Sequence, residues 1–130
     1  MTTITEDFVS FETAKLLKEK GFNKRLITFY ITDEAKKEGC FQLMAFTDDK
    51  IDNNHSDYCY LAPTHQMAMK WLRRIHNVNI EIPYNRFGKN YKYLIIYKPE
   101  VLDDIRSLGV YYHYEEACEA AIKYCLKNLI

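Results

Sequence analysis

The segment from Tyr60 to Ile82 constrains the fold more than any other part of this chain of 130 residues. It reads YLAPTHQMAMKWLRRIHNVNIEI and combines a strand end, a capped helix and a second strand with almost no connecting residues. The helix carries the only tryptophan, Trp71. Because such short connections force neighbouring elements to pack together, the segment predicts a compact α+β unit around that indole. It contains no catalytic motif, metal-ligand spacing or phosphate-binding loop.

Capping signals predict the first of three helices. It should begin at Phe11, behind Ser10, whose hydroxyl can accept from the free N–H groups of the first turn. It should end near Lys20, where Gly21 supplies a left-handed residue and Phe22 can fold back on the helix. The sequence therefore marks both ends of this helix.

Apolar periodicity predicts the other two helices. The second runs from His65 to about His76 behind Thr64, and the third runs from Tyr114 to the C-terminus. The apolar stripe of the second helix is Ala68, Trp71, Leu72 and Ile75. The stripe of the third is Cys118, Ala121, Ile122, Cys125 and Leu129.

Strands should fill the segments between the helices, because these are rich in β-branched and aromatic residues or alternate in polarity. The predicted strands are Leu26–Thr32, Cys40–Phe46, Asp57–Ala62, Val78–Tyr84, Tyr91–Lys98 and Val110–Tyr112. The turns between most of them are short, which favours antiparallel pairing. We therefore predict one α+β domain over residues 1–130, a mostly antiparallel sheet with about three helices packed mainly on one face.

Composition and motifs favour a soluble binding protein over an enzyme. Lys plus Arg equals Asp plus Glu at 18 each, and neither a signal peptide nor an apolar run long enough to span a membrane is present. We therefore expect a cytoplasmic protein. The four cysteines and four histidines lack metal or nucleophile spacing, and the acidic loop Asp48–Asp57 lacks the calcium-loop pattern. We expect reduced structural cysteines, no cofactor and no catalytic residues.

The basic residues are unevenly distributed. Between His65 and Lys98 lie seven of the 18 basic residues but only one of the 18 acidic residues. These basic residues include Lys70, Arg73 and Arg74, opposite the apolar face of the second helix, and Arg86 and Lys89 at the turn NRFGKN of a predicted hairpin. Such a patch can meet phosphate, an acidic protein or an acidic patch on a second copy. An ordinary solvated face remains the alternative.

Tyrosines form a second asymmetry, since eight of the eleven follow residue 80. Period two in YKYLIIYK places Tyr91, Tyr93 and Tyr97 on one face of a strand, and Leu94 and Ile96 on the other. If the aliphatic pair joins the core, the tyrosines face outward and offer contact area for a protein or for stacked bases. Alternatively, the rings cover a sheet face or lie beneath a helix.

Three segments resemble small uncharacterised proteins of gut Bacteroidales and their tailed (crAss-like) phages. They are A-P-T-x-Q-M-A-x-K-W-L-R followed by H-N-V-N-I-E-I, the opening V-S-F-E-T-A-K-L-L-K-E-K-G-F, and the closing Y-Y-x-Y-E-E-A-x-E-A. The resemblance implies an accessory product of a phage or mobile element in the bacterial cytoplasm, and brings no catalytic residues with it.

The order helix, three strands, helix over residues 11–76 also resembles a double-stranded-RNA-binding domain. That family places lysines at the start of its last helix, whereas the matching positions here are His65, Gln66 and Met69. We therefore expect a non-catalytic module that docks onto a protein or onto itself. The alternative is a nucleic-acid-binding module that uses the basic face of helix 65–76 and the 84–92 hairpin.

Overall fold

The computed structural model describes residues 7–23, 28–32, 41–45, 59–97 and 104–130. Contacts divide the chain into two compact units, Phe8–Thr64 and His65–Ile130, and Asp7 belongs with the second. The predicted α+β class is confirmed, with three helices and antiparallel strand pairs. The described strands form three small sheets, whereas the sequence predicted one mostly antiparallel sheet. A single domain over residues 1–130 stays a prediction.

The described residues of the first unit form one helix and one three-stranded sheet. Its helix, α1, spans Phe11–Glu19, and its strands are β1 (Thr28–Thr32), β2 (Phe41–Ala45) and β3 (Cys59–Leu61). The central strand, β1, pairs antiparallel with both β2 and β3. The predicted acidic loop Asp48–Asp57 and Cys40 lie outside the described residues.

Helix α1 has the predicted caps at both ends. The hydroxyl of Ser10 accepts from the N–H of Thr13 at 3.2 Å. At the C-terminal end, the N–H of Phe22 donates to the carbonyl of Leu17 at 2.9 Å, and Gly21 adopts a φ of 88°. This is a Schellman motif, in which a left-handed residue lets the chain turn back and satisfy the last carbonyls. Phe22 and Leu17 are both buried.

Aromatic side chains hold α1 against its sheet. The hydroxyl of Tyr30, in the central strand, donates to the carbonyl of Val9 at 2.6 Å, and both residues are buried. Phe11 meets the rings of Tyr30 and Tyr60 edge to face, with centroids 5.7 and 5.2 Å away. The N–H of Val9 also donates to the carbonyl of Pro63, which fastens the segment before α1 beside the segment after β3.

The second unit contains two helices and the remaining strands. Helix α2 spans His65–His76 and α3 spans Tyr114–Asn128. One sheet has the order β4–β7–β8, and a separate hairpin pairs β5 with β6. The strands are β4 (Val78–Glu81), β5 (Tyr84–Asn85), β6 (Asn90–Tyr91), β7 (Leu94–Tyr97) and β8 (Ile105–Arg106).

The buried face of α2 differs from the predicted stripe at one end. Ile75, predicted to face the core, is 56% exposed, while Met69 is buried. His65 is also buried, and its Nε2 lies 2.9 Å from Oε1 of Glu119 in α3. The buried face of α2 therefore comprises positions 65, 68, 69, 71 and 72, which lie on one side of a helix, and it keeps the predicted Ala68, Trp71 and Leu72.

The end of α2 follows standard helix chemistry. Asn77 adopts a φ of 55° directly after the last helical residue, a left-handed conformation that asparagine tolerates.

At the start of α2, the N–H of His65 donates to the carbonyl of Asp7 at 3.1 Å. Capping by Thr64 stays a prediction. His113, at the N-cap of α3, makes no capping hydrogen bond with its side chain.

Helix α3 buries the predicted apolar stripe except at its end. Buried residues include Cys118, Ala121, Ile122 and Cys125, whereas Leu129 is half-buried and Leu126 is buried in its place. Cys118 and Cys125 are free thiols, as predicted for these two. Burial raises the pKa of Cys118 to about 11 and the pKa of Cys125 to about 12.

The two thiols should make the stability of the fold fall at alkaline pH. An unfolded thiol loses its proton near pH 8.5, whereas the buried thiols keep theirs until about pH 11 and 12. Above about pH 8.5 the folded state therefore binds more protons, and the free energy of unfolding falls by up to about 1.4 kcal/mol per pH unit for each thiol. Urea denaturation between pH 7.5 and 10 checks this slope.

A double variant, Cys118→Ala with Cys125→Ala, is the control for this slope. It should flatten the pH dependence below about pH 10, where tyrosines are still protonated in the unfolded chain. Burial also raises the pKa of Tyr93 and Tyr114, so a dependence above that pH should remain in the variant. An unchanged slope between pH 8.5 and 10 would show that the thiols are not responsible.

Candidate functional site: an exposed aromatic patch on a hairpin

The predicted strand Tyr91–Lys98 is interrupted in the structure. β6 ends at Tyr91 and β7 begins at Leu94, so two residues without strand pairing separate them. Burial nevertheless alternates from Tyr93 onward, since Tyr93 and Ile95 are buried while Leu94 is only half-buried, so the face predicted to point outward is the core face. Tyr93 is only 9% exposed. The prediction that it belongs to an outward tyrosine surface is wrong.

The pairing of β4 with β7 shows where the other residues of the predicted tyrosine surface lie. Tyr97 lies directly opposite Val78, and opposed residues in an antiparallel pair point to the same face. Val78 and Ile95 are fully buried, so Tyr97, which is half-buried, lies on the core side of its strand. Leu94 and Ile96, predicted as core residues, are on the other face and only half-buried. The two predicted faces of this strand are therefore present, but the covered face is the one that carries Ile95 and Tyr97.

Contacts with two other rings show what buries the side chain of Tyr93. Its ring lies between those of Tyr111 and Tyr124, with centroids 6.2 and 6.3 Å away. Tyr124 belongs to α3, so Tyr93 packs beneath a helix, which is the alternative that the sequence left open. Its burial raises the pKa of its hydroxyl above the ordinary value. Tyr93 is therefore part of the core.

A second group of rings fastens the hairpin to the helices. The half-buried ring of Tyr91 lies 4.9 Å from the ring of Tyr84 and 5.8 Å from the ring of Tyr114, measured between centroids. Tyr114 begins α3, and its hydroxyl accepts from Nε2 of Gln66 in α2 at 2.9 Å. The hairpin is thereby held at the start of α3.

Side chains on both strands organise the turn of this hairpin, Arg86–Lys89. Oδ1 of Asn85 accepts from the N–H groups of Phe87 and Gly88 at 3.0 and 3.4 Å. Nδ2 of Asn90 donates to the carbonyl of Gly88 at 3.3 Å. A Cβ atom added to Gly88 would lie 2.5 Å from that nitrogen, so the close approach favours glycine. These contacts give the turn a defined conformation.

Phe87 stands out on this turn because it is 92% exposed. At that exposure the ring buries almost no surface within the protein, so core packing does not account for it. Turn positions usually hold Gly, Pro, Asn, Asp or Ser. The guanidinium of Arg86 lies 5.9 Å from the centre of the ring, and Lys89 adopts a φ of 53°, which is uncommon outside glycine. The turn thus presents an aromatic ring beside one cation, Arg86, and carries a second exposed cation, Lys89.

Hydrogen bonds fasten the segment before α3 at two points, one at Tyr93 just after the hairpin and one at Tyr91 in β6. Ser107 exchanges two hydrogen bonds with the backbone of Tyr93: its N–H donates at 3.0 Å and its hydroxyl accepts at 3.2 Å. The same hydroxyl donates to the carbonyl of Gly109 at 3.0 Å. Four residues later, Tyr111 pairs with Tyr91 through backbone bonds of 2.6 and 2.8 Å. The loop between these two points is therefore held at both ends.

The hairpin and the segment before α3, which the pairing of Tyr91 with Tyr111 joins, carry most of the large exposed apolar side chains among the described residues of the second unit. We call them the tip patch: Tyr84, Phe87, Leu108, Val110 and Tyr112. Leu108 is fully exposed and Tyr112 is 68% exposed. Exposed large apolar groups gathered in one region mark interaction sites more often than single ones do. Sequence reasoning missed the patch, although a phenylalanine in the turn NRFGKN was a signal that could have revealed part of it.

The predicted basic residues are exposed where the sequence placed them. Lys70, Arg73 and Arg74 lie on the solvent side of α2, and Arg86 and Lys89 lie in the hairpin turn. The turn cations adjoin the tip patch, whereas those of α2 lie on a separate element. The structure therefore joins the predicted hairpin cations to an aromatic surface made of residues other than the predicted tyrosine row.

The described ranges contain no candidate metal site and no candidate membrane-spanning helix. There, no group of three or more His, Cys, Asp or Glu residues is arranged to hold a metal ion. None of the helices α1 to α3 combines the length and apolar character needed to cross a membrane. Comparisons with protein-family profiles, curated proteins and solved structures gave no significant match. The resemblance to Bacteroidales and phage proteins stays a prediction.

Proposed function

We propose that this protein is a small, non-catalytic binding module of a phage or mobile element that docks onto another protein surface through the tip patch. The observation that carries the proposal is the exposure of Phe87 on a turn fixed by Asn85 and Asn90. Aromatic side chains on rigid supports lose little conformational entropy on binding, which makes them effective anchors. The tip patch replaces the tyrosine row as the candidate binding surface.

Aliphatic neighbours favour a protein partner over a nucleic acid. Leu108 and Val110 extend the exposed surface beyond the aromatic rings, and their side chains have no planar face on which a base can stack. Protein interfaces, in contrast, combine aromatic anchors with aliphatic groups and arginine around a desolvated centre. Phe87, Tyr84 and Arg86 supply such anchors in one hairpin.

Site-specific photo-cross-linking tests the proposal. A photoreactive benzoylphenylalanine at position 87 should form covalent adducts with a protein in the cells that produce the chain. The same group at Ile75, which is also exposed and apolar but lies on α2 outside the tip patch, is the matched control. We expect strong adducts from position 87 and few from position 75. The proposal fails if position 87 gives no more adducts than position 75.

A nucleic acid remains the second candidate partner. The observation that favours it is the ring of Phe87 beside the guanidinium of Arg86, with the exposed Lys89 in the same turn, a combination that can stack a base and hold its phosphates. Affinity for a single-stranded oligonucleotide should then fall steeply with salt, because phosphate contacts release counterions. It should also be lost on reversing the charges of Arg86 and Lys89. Salt-insensitive cross-linking at position 87 would instead favour the protein partner.

A further inference from the structure

We infer that the protein surface bound by the tip patch is a second copy of this chain, related to the first by a two-fold axis. The inference rests on the proposed function, because it uses the same patch and adds the identity of the partner. What points to a second copy is that the patch adjoins exposed groups of both charges. A surface of this kind can be complementary to itself.

The positive groups are Arg86 and Lys89 in the hairpin turn, and the negative groups are Glu115 and Glu116 in the first turn of α3. All four are exposed. The contact between the rings of Tyr91 and Tyr114, and the pairing of Tyr91 with Tyr111, bring the start of α3 next to the hairpin. Apolar, basic and acidic groups therefore share one end of the second unit.

These charges are available for a partner. Within the described part of the chain, no carboxylate lies within ion-pair distance of Arg86 or Lys89. Over the same part, no lysine or arginine nitrogen lies within that distance of Glu115 or Glu116. Unpaired charges of opposite sign beside an apolar patch can pair across an interface, where they select the partner and its orientation.

Two-fold symmetry makes use of both sets of charges at once. In such an interface, if residue i of one copy meets residue j of the other, then j also meets i. When Arg86 and Lys89 of one copy face Glu115 and Glu116 of the second copy, the reverse pairing forms as well. The tip patches of the two copies can then cover each other between the charged groups. The formal net charge of zero means that no global repulsion opposes this association.

Sedimentation velocity over a dilution series measures the association. We expect a dimer whose dissociation constant rises about 30-fold or more on Phe87→Ser or Leu108→Ser, the effect of losing an interface anchor worth about 2 kcal/mol. Ile75→Ser removes an exposed apolar side chain from α2, outside the tip patch, and should leave the dissociation constant unchanged. Circular dichroism should give the same melting temperature for all three variants, because all three positions are exposed.

Charge exchange supplies a test that loss of folding cannot imitate. The first variant combines Arg86→Glu with Lys89→Glu, and the second combines Glu115→Lys with Glu116→Lys. Each variant alone should be monomeric, because like charges then face each other across the two-fold axis. An equal mixture should form a heterodimer, since both sets of pairs are then complementary. Restored association in the mixture requires two folded partners.

Each outcome either supports or overturns the inference of a two-fold dimer through the tip patch. A chain that stays monomeric at its highest soluble concentration overturns the inference. If it is monomeric while position 87 still cross-links to a different protein, the proposed function survives and only the partner is wrong. A dimer that is insensitive both to Phe87→Ser and to the charge exchange forms through another surface, which also overturns the inference. Loss of dimer with Phe87→Ser together with recovery in the mixture supports it.

Discussion

Replacing Trp71 with alanine should lower the free energy of unfolding by about 3–5 kcal/mol, the usual range for truncating a buried large aromatic side chain. The indole is 7% exposed, and its ring meets that of His76 edge to face at a centroid distance of 4.7 Å. Because small domains are stable by about 5–15 kcal/mol, such a loss removes much of the total. Urea denaturation followed by circular dichroism measures the change.

The control for this experiment is Ile75→Ala in the same helix. Ile75 is 56% exposed, so its truncation should change the free energy of unfolding by less than about 0.5 kcal/mol. A Trp71→Ala protein that melts within a few degrees of the Ile75→Ala protein would place the indole at the surface. It would thereby also contradict the prediction of a compact α+β unit packed around this indole.

Replacing Tyr93 with serine should destabilise the fold by about 3 kcal/mol or more, because the ring is buried between Tyr111 and Tyr124. Had this tyrosine been an exposed interface anchor, the same substitution would have weakened binding and left stability nearly unchanged. The two roles therefore give opposite results in one variant. Thermal melting and sedimentation of the same sample separate them.

The conservative control is Tyr93→Phe, which keeps the ring and removes only the hydroxyl. It should cost less than about 1 kcal/mol, since the ring contacts with Tyr111 and Tyr124 remain. A Tyr93→Ser protein with normal stability and lost association would revive the outward tyrosine surface. It would then compete with the tip patch as the binding site.

Local signals predicted the helices well because they act over one or two turns. Ser10, Gly21 and Phe22 marked both ends of α1, and the structure contains the corresponding hydrogen bonds. Charged residues opposite an apolar stripe marked Lys70 and Arg73 as exposed, and they are. Neither result depends on distant parts of the chain, because capping and helical periodicity join residues a few positions apart.

Strand faces could not be predicted in the same way. Alternation assigns side chains to two faces of a strand but does not say which face is covered. The face of Tyr93 and Ile95 is the core face, in place of the predicted face of Leu94 and Ile96. The rings that pack against Tyr93 belong to residues distant in sequence, so only long-range contacts decided which face is buried.

The sequence by itself determined the α+β class, the positions of the three helices, the antiparallel pairing and the exposure of the basic residues. Tertiary structure alone decided that Ile75 faces outward, that Tyr93 lies beneath α3, and that Phe87 and Leu108 belong to neighbouring segments. The physical reason is the range of the interactions. Caps, turns and periodicity act between near neighbours, whereas the inward side of a helix or strand depends on what distant residues pack against it.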